Sequence, residues 1–259
     1  MSEIVIEYPH AGVAVVRINR PEKRNACNQP TWQAIAESFD LLERNSSIRL
    51  AILTGTGEHF SAGDDIVAYN AAKADPAAAE KHRVSICDAY DAILRARFPV
   101  ISAVRGACVG GAVSLAMCCD FRVADDTARV CIPAAKLSLI YPTAHIQRLV
   151  HLVGASTARR WLYSAEFIDA AAASDAGFFD ALATTDVIKA AIDFAQPMLD
   201  KAPLSIRGSR MQVNAICSDS VSEMHSAIDR KIASIEESVD YREAVRAFRD
   251  KVVPRFVGS

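Results

Sequence analysis

Apolar and polar positions along the chain alternate in two different rhythms. Ile4–Tyr8 and Val13–Asn19 read as an opening pair of strands around a turn at Pro9–Gly12. Leu50–Thr54 and Val100–Val104 are short, continuous apolar runs, the signature of buried strands, and Phe121–Ala124 and Ala128–Cys131 predict two shorter ones. Between them the spacing turns helical. Asn28, with Pro30 in the first turn, starts a helix that runs to about Arg44. Asp75-Pro76 precedes a long helix from about Ala77 to Arg97 with a charged, partly solvated face, and Gly110–Cys118 predicts an apolar helix opening on glycines. Arg20–Ala26 and Gly55–Gly63 are left as loops.

From Thr143 onward the pattern is helical, with segments at Thr143–Val153, Ser156–Tyr163, Asp169–Ala176, Asp186–Lys201, Leu204–Ser218, Ser220–Glu237 and Tyr241–Lys251. The Ala-rich stretches at Ala71–Ala79 and Ala170–Ala173 read as helix or its approach rather than as linker. Strands alternating with helices, followed by helices alone, predict an α/β core over residues 1–200 and a helical C-terminal region over 201–259. A chain of 259 residues, 51% of them apolar, has ample material for that core.

Charge narrows the functional classes. The formal net charge is −2 and no basic run occurs, so neither nucleic acid nor an anionic membrane is an expected partner. Apolar stretches break well short of a membrane span, and Met1-Ser-Glu-Ile-Val5 has no signal-peptide character, so a soluble cytoplasmic protein is expected. The seven cysteines are odd in number and contain no Cys-x-x-Cys; Cys87, Cys108, Cys118, Cys119, Cys131 and Cys217 lie among apolar or small residues and are expected to be buried, reduced thiols. His145 and His151 are six apart, not three or four, and no metal site is expected.

Two glycine-bearing segments carry the chemistry: Phe60-Ser-Ala-Gly-Asp-Asp-Ile66 and Arg105-Gly-Ala-Cys-Val-Gly-Gly-Ala-Val-Ser114. Each follows a predicted buried strand. Glycine at a strand end lets the backbone turn sharply and approach a ligand, and two such turns side by side can aim two backbone N–H groups at one carbonyl oxygen. These segments resemble the crotonase superfamily, the enoyl-CoA hydratase/isomerase family. The likeness extends through Arg20-Pro-Glu-Lys-Arg-Asn-Ala26, Cys119-Asp120, Gln147-Arg148-Leu149, Ile168-Asp-Ala170 with Gly177, and the tail from Asp240-Tyr241 through Phe248 and Lys251 to Phe256.

The resemblance implies a crotonase (ClpP-like) spiral of repeated β-β-α turns, a helical C-terminal region that makes homotrimers or dimers of trimers, and acyl-CoA thioester substrates. No tightly bound cofactor is implied; coenzyme A enters as part of the substrate. By position, the backbone N–H groups of Asp64 and Gly111 become oxyanion donors. Adenine is expected near Ala62–Ile66 and Ala26; Lys23 or Arg24 either meets the phosphates or belongs to a solvated loop. Phe248 and Lys251 are expected to reach in from the C-terminal helices.

The chain also departs from the family pattern. Ser114 and Ala134 stand where a hydratase carries its two glutamates, and Pro142 where dienoyl isomerases and aryl dehalogenases place an aspartate. A positioned acid or base contributes about 10²–10⁴ in rate, so hydration is expected to be residual. Ser114 can hold a water or a substrate carboxylate, or bond back to its own helix. Tyr141, in Leu139-Ile-Tyr-Pro142, resembles the tyrosine of methylmalonyl-CoA decarboxylase-like members; it either binds a carboxylate and later protonates an enolate, or simply packs.

Asp64 stands where that branch usually has histidine. Pointing inward it would repel an enolate, so it is expected to face solvent or pair with a base, while Asp65 is expected to serve loop structure. His145 is either a base within reach or, as favoured, a helix residue facing solvent; Tyr90 and His82 either line the acyl channel or, as favoured, are one partly buried and one exposed residue. The favoured function is enolate-forming decarboxylase- or C–C-hydrolase-like chemistry. The alternatives are an atypical enoyl-CoA hydratase/isomerase, or a catalytically silent CoA-binding paralogue.

Overall fold

The computed structural model describes residues 2–259. The chain forms β1 (Ile4–His10), β2 (Val13–Ile18), α1 (Gln29–Arg44), β3 (Leu50–Gly55), α2 (Ile66–Ala72), α3 (Pro76–Arg95), β4 (Val100–Val104), β5 (Ala107–Val109), α4 (Gly111–Cys118), β6 (Phe121–Ala124) and β7 (Arg129–Cys131). It continues with α5 (Thr143–Ser164), β8 (Ile168–Asp169), α6 (Ala170–Asp175), β9 (Ala181–Leu182), α7 (Val187–Leu199), α8 (Pro203–Cys217), α9 (Val221–Glu236) and α10 (Val239–Asp250).

Six strands form one sheet in the order β1-β2-β3-β4-β6-β9, antiparallel at β1/β2 and parallel beyond. A smaller sheet runs β5-β7-β8. Its reach is extended by parallel bridges from Ser61 to Cys108 and from Cys27 to Asp64. The repeating unit is therefore a long strand, a corner, a short strand or bridge in the second layer, and a helix. β4 turns through Gly106 into β5 and α4, and β6 turns into β7 and then α5. β3 turns into the Ser61–Asp64 segment by the same logic.

The continuous apolar runs of β2, β3 and β4 follow from burial on both faces. Ala14, Val16, Ala51 and Leu53 face the main core with Trp32, Ile35, Phe39 and Ile93. Val13, Val15, Leu50, Ile52 and Ile101 face Val187, Ala191 and Ala195 of α7. Asn28 caps α1, its side chain accepting from the Thr31 N–H at 3.0 Å. Asp65 caps α2 through the Ala68 N–H and meets Arg20 at 3.4 Å, the structural role expected of it.

Arg210 on α8 ties that helix to the core. Its guanidinium donates to Asp120 at 2.8 Å and to the carbonyls of Ile93, Leu94 and Ala96. Thr143–Val153 and Ser156–Tyr163, read as two helices, run on as α5 across a break at Gly154, whose φ of 75° and ψ of 160° are non-helical. The thiols need correction: Cys87 is exposed on α3 and Cys217 half-buried, because both lie on helix faces turned from the core, while the other five are buried.

Candidate active site

The segment Ser61–Asp65 is laced into the second layer from both sides. The Ser61 N–H donates to the Ala107 carbonyl at 2.9 Å and the Val109 N–H to the Ser61 carbonyl at 3.1 Å. On the other side the Cys27 N–H donates to the Gly63 carbonyl at 2.7 Å and the Asp65 N–H to the Cys27 carbonyl at 2.9 Å. This pairing skips the Asp64 N–H, which donates to no protein acceptor among the described residues. The Gly111 N–H, first of α4, is likewise undonated, as expected for a helix start.

Two glycines make the close approach possible. Gly63 has φ +85°, and a β-carbon there would stand 2.2 Å from the Val109 carbonyl oxygen and 2.9 Å from the Gly111 nitrogen. Gly110 has φ +59° and is anchored by its N–H to the Cys131 carbonyl at 2.9 Å. Two free amides, one at the positive end of an α-helix, thus lie in adjoining turns, an arrangement able to receive a developing negative charge.

The Asp64 side chain does not hang in solvent. Its Oδ1 accepts from the Trp32 Nε1–H at 2.9 Å and from His82 Nε2 at 2.7 Å. Its Oδ2 accepts no hydrogen bond, and the side chain is 23% exposed. His82 is only 1% exposed and lies against the Tyr69 ring of α2. Both His82 and Tyr90 are buried, contrary to expectation, because they share the α3 face with Ser85, Ala89 and Ile93 that packs inward.

Beyond Asp64 lies a belt of uncharged polar groups. The Tyr90 hydroxyl donates to the Gly111 carbonyl at 3.2 Å, and its ring meets Trp32 and His145 edge-on. His145 is buried rather than solvent-facing, since the first turn of α5 folds its imidazole onto Tyr90; its Nδ1 has no partner. Burial, helped by Arg148, pulls the imidazole down to a pKa of about 4, so it is neutral at ordinary pH. The Tyr141 hydroxyl is also buried without a partner, and burial raises its pKa well above the phenol range. Ser114 is 2% exposed and, among the described residues, makes no hydrogen bond back to its own helix. Ala134 is buried in a 3-10 turn at Pro133–Lys136.

The other expected positions fall in two groups. Ala26 and Ala62 lie together on one rim, where the Ala62 N–H donates to the Arg24 carbonyl at 2.9 Å and Arg20 to the Ala26 carbonyl. Lys23 and Arg24 are exposed on that rim, and Ile66 opens α2 with 52% of its surface exposed. Among the described residues no hydrogen bond joins Phe248 or Lys251 to this rim; Phe248 is 89% exposed on α10. A separate, largely apolar cavity of about 600 Å³ lies between Met117, Arg148, Met198 and Val213, away from Asp64 and Gly111.

Trp32 and His82 were not singled out by sequence as partners of Asp64. The helical period of α3 does place His82 on its buried face, but no local signal joins it to a residue eighteen positions earlier.

Comparison with known proteins agrees with this architecture. The enoyl-CoA hydratase/isomerase family model matches residues 9–259. A crotonyl-CoA hydratase of Syntrophomonas wolfei is 31% identical, over 95% of this chain and 95% of that protein. A 2,3-dehydroadipyl-CoA hydratase of Escherichia coli is 27% identical over the full length of both. The crystal structure of an enoyl-CoA hydratase/carnithine racemase from Magnetospirillum magneticum superposes with a TM-score of 0.89 at 27% identity, covering 100% of this chain and 97% of the other. The chain belongs to the enoyl-CoA hydratase/isomerase family and has the crotonase fold.

Proposed function

We propose that this acyl-CoA enzyme holds a thioester oxygen between the Asp64 and Gly111 amides and uses the enolate so formed to release a group rather than to add water. The favoured reaction is decarboxylation of a malonyl-type thioester, with cleavage of a related 3-oxo thioester as its close variant. The observation that carries it is the pair of undonated amides in adjoining turns, backed by uncharged Tyr141, His145 and Ser114. In decarboxylation the bond from the α-carbon to the carboxylate breaks, CO2 leaves, and the electron pair passes into the thioester as an enolate. The two N–H groups and the α4 dipole stabilise that charge as it develops.

A substrate carboxylate beside Tyr141 would meet a phenol donor in a buried setting. Such a group is held in place but poorly solvated, which favours its loss as neutral CO2. Lys23 and Arg24 suit the CoA phosphates, and the Ala26 and Ala62 backbone suits the adenine. Phe248 and Lys251 suit the same ligand if a neighbouring copy supplies them, which fits a trimer or dimer of trimers. Incubation with methylmalonyl-CoA, following CO2 release in wild type and in Tyr141→Phe, tests the reaction: release that falls sharply in the variant supports it. No release from any malonyl-type thioester, with crotonyl-CoA hydrated instead, would replace it with the hydratase assignment.

A further inference from the structure

The Asp64 carboxylate belongs to the residue that carries one of the two free amides, and it is held in a specific way. Two N–H donors, Trp32 Nε1 and His82 Nε2, converge on Oδ1 and leave Oδ2 unpartnered and accessible. The Trp32 ring that holds Oδ1 also lies 3.2 Å from where a β-carbon on Gly111 would stand, so the carboxylate and the two amides border one cleft, and a thioester seated on the amides would have its α-carbon on the side of the carboxylate. We propose that Asp64 is the acid–base group for the α-carbon, with His82 and Trp32 as positioning residues that hold its carboxylate.

The proton balance removes the electrostatic objection to an inward aspartate. While the carboxylate is ionised, the thioester is neutral. As Oδ2 takes the α-proton, the C–H bond breaks, its electron pair enters the enolate, and Asp64 becomes neutral as the enolate becomes negative. The two negative charges never coexist. In the decarboxylating direction Oδ2 first takes a proton from solvent, gives it to the α-carbon after CO2 has left, and returns to carboxylate, so that one solvent proton replaces each CO2 lost. Donors fixed on Oδ1 orient the carboxylate without occupying the working oxygen. Tyr141 is a poorer source of this proton, because the burial that raises its pKa also makes its phenolate costly.

This inference rests on the oxyanion reading of Asp64 and Gly111 but not on the decarboxylase assignment. It is tested by deuterium uptake at the α-carbon of acetyl-, butyryl- and octanoyl-CoA in D2O, followed by mass spectrometry with the full chain. Wild type is expected to exchange with at least one ester. Asp64→Asn keeps the backbone amide and should lower exchange by about 10²-fold or more, with binding of the ester retained. His82→Gln, which can still donate to Asp64, should stay within about tenfold of wild type, whereas His82→Leu should fall well below it; a merely structural histidine would not be rescued in this way. Exchange at the wild-type rate in Asp64→Asn, or no exchange by wild type, overturns the role. CO2 release without exchange would sink the Asp64 role alone, and exchange without CO2 release would sink the decarboxylase assignment alone.

Discussion

Gly63 and Gly111 touch: a β-carbon on the first would stand 2.9 Å from the amide nitrogen of the second, and 2.2 Å from the Val109 carbonyl. No side chain fits there without parting the two turns, and φ at Gly63 is +85° as well. Gly63→Ala is therefore expected to cost about 1–3 kcal/mol from backbone strain and to lower turnover disproportionately by misaligning the Asp64 amide. Gly154→Ala, at φ +75° with nothing within 4 Å, should show the strain in urea unfolding while keeping full turnover. Equal loss of activity in both variants would contradict the link between this contact and the site.

Tyr141 carries a buried hydroxyl with no partner, a group that lowers stability in the free protein. Tyr141→Phe should leave the melting temperature unchanged or raise it, while CO2 release falls. A variant that lost both stability and activity would make Tyr141 a packing residue.

His145 sets part of the acid stability. Its folded pKa of about 4 lies below the ordinary 6.5, so between those values the unfolded chain binds more protons than the folded one. Stability attributable to this residue is complete above pH 6.5 and is lost as pH falls towards 4, by up to about 3 kcal/mol. Unfolding of His145→Phe should show a flatter dependence on pH across that window. An unchanged slope would place the acid sensitivity elsewhere.

Arg210 is buried and satisfied by one carboxylate and three carbonyls. Arg210→Leu strands the Asp120 carboxylate, and a loss of about 3–5 kcal/mol in denaturant unfolding is expected. A loss below about 1 kcal/mol would mean that α8 is held by its apolar contacts alone.

Thiol accessibility gives a further, independent check. Cys87 should react at once with a disulfide reagent and Cys217 more slowly, while the five buried thiols wait for unfolding. Cys27 and Cys118 are pushed by burial to about 12 and are inert besides being covered. Rapid reaction of more than two thiols would contradict the packing described.

The strand runs at Leu50 and Val100, the Asn28 cap and the two glycine turns were legible in sequence because each depends on neighbours in the chain. β5, β8, β9 and α2 were not, since two- and three-residue strands and a seven-residue helix carry too little periodicity to stand out. The environment of Asp64 escaped for another reason. Trp32, Asp64 and His82 come from α1, a loop and α3, and only packing of the two helices brings them to one oxygen atom. His145 was misjudged because a first-turn helix position says nothing about the ring, Tyr90, that waits opposite it.

The most direct test of the central claim is a crystal structure with an unreactive acyl-CoA thioester analogue bound. The carbonyl oxygen is expected within about 2.7–3.1 Å of both the Asp64 and Gly111 nitrogens. An acyl-CoA bound with its carbonyl oxygen on neither amide, or on one alone, would contradict it.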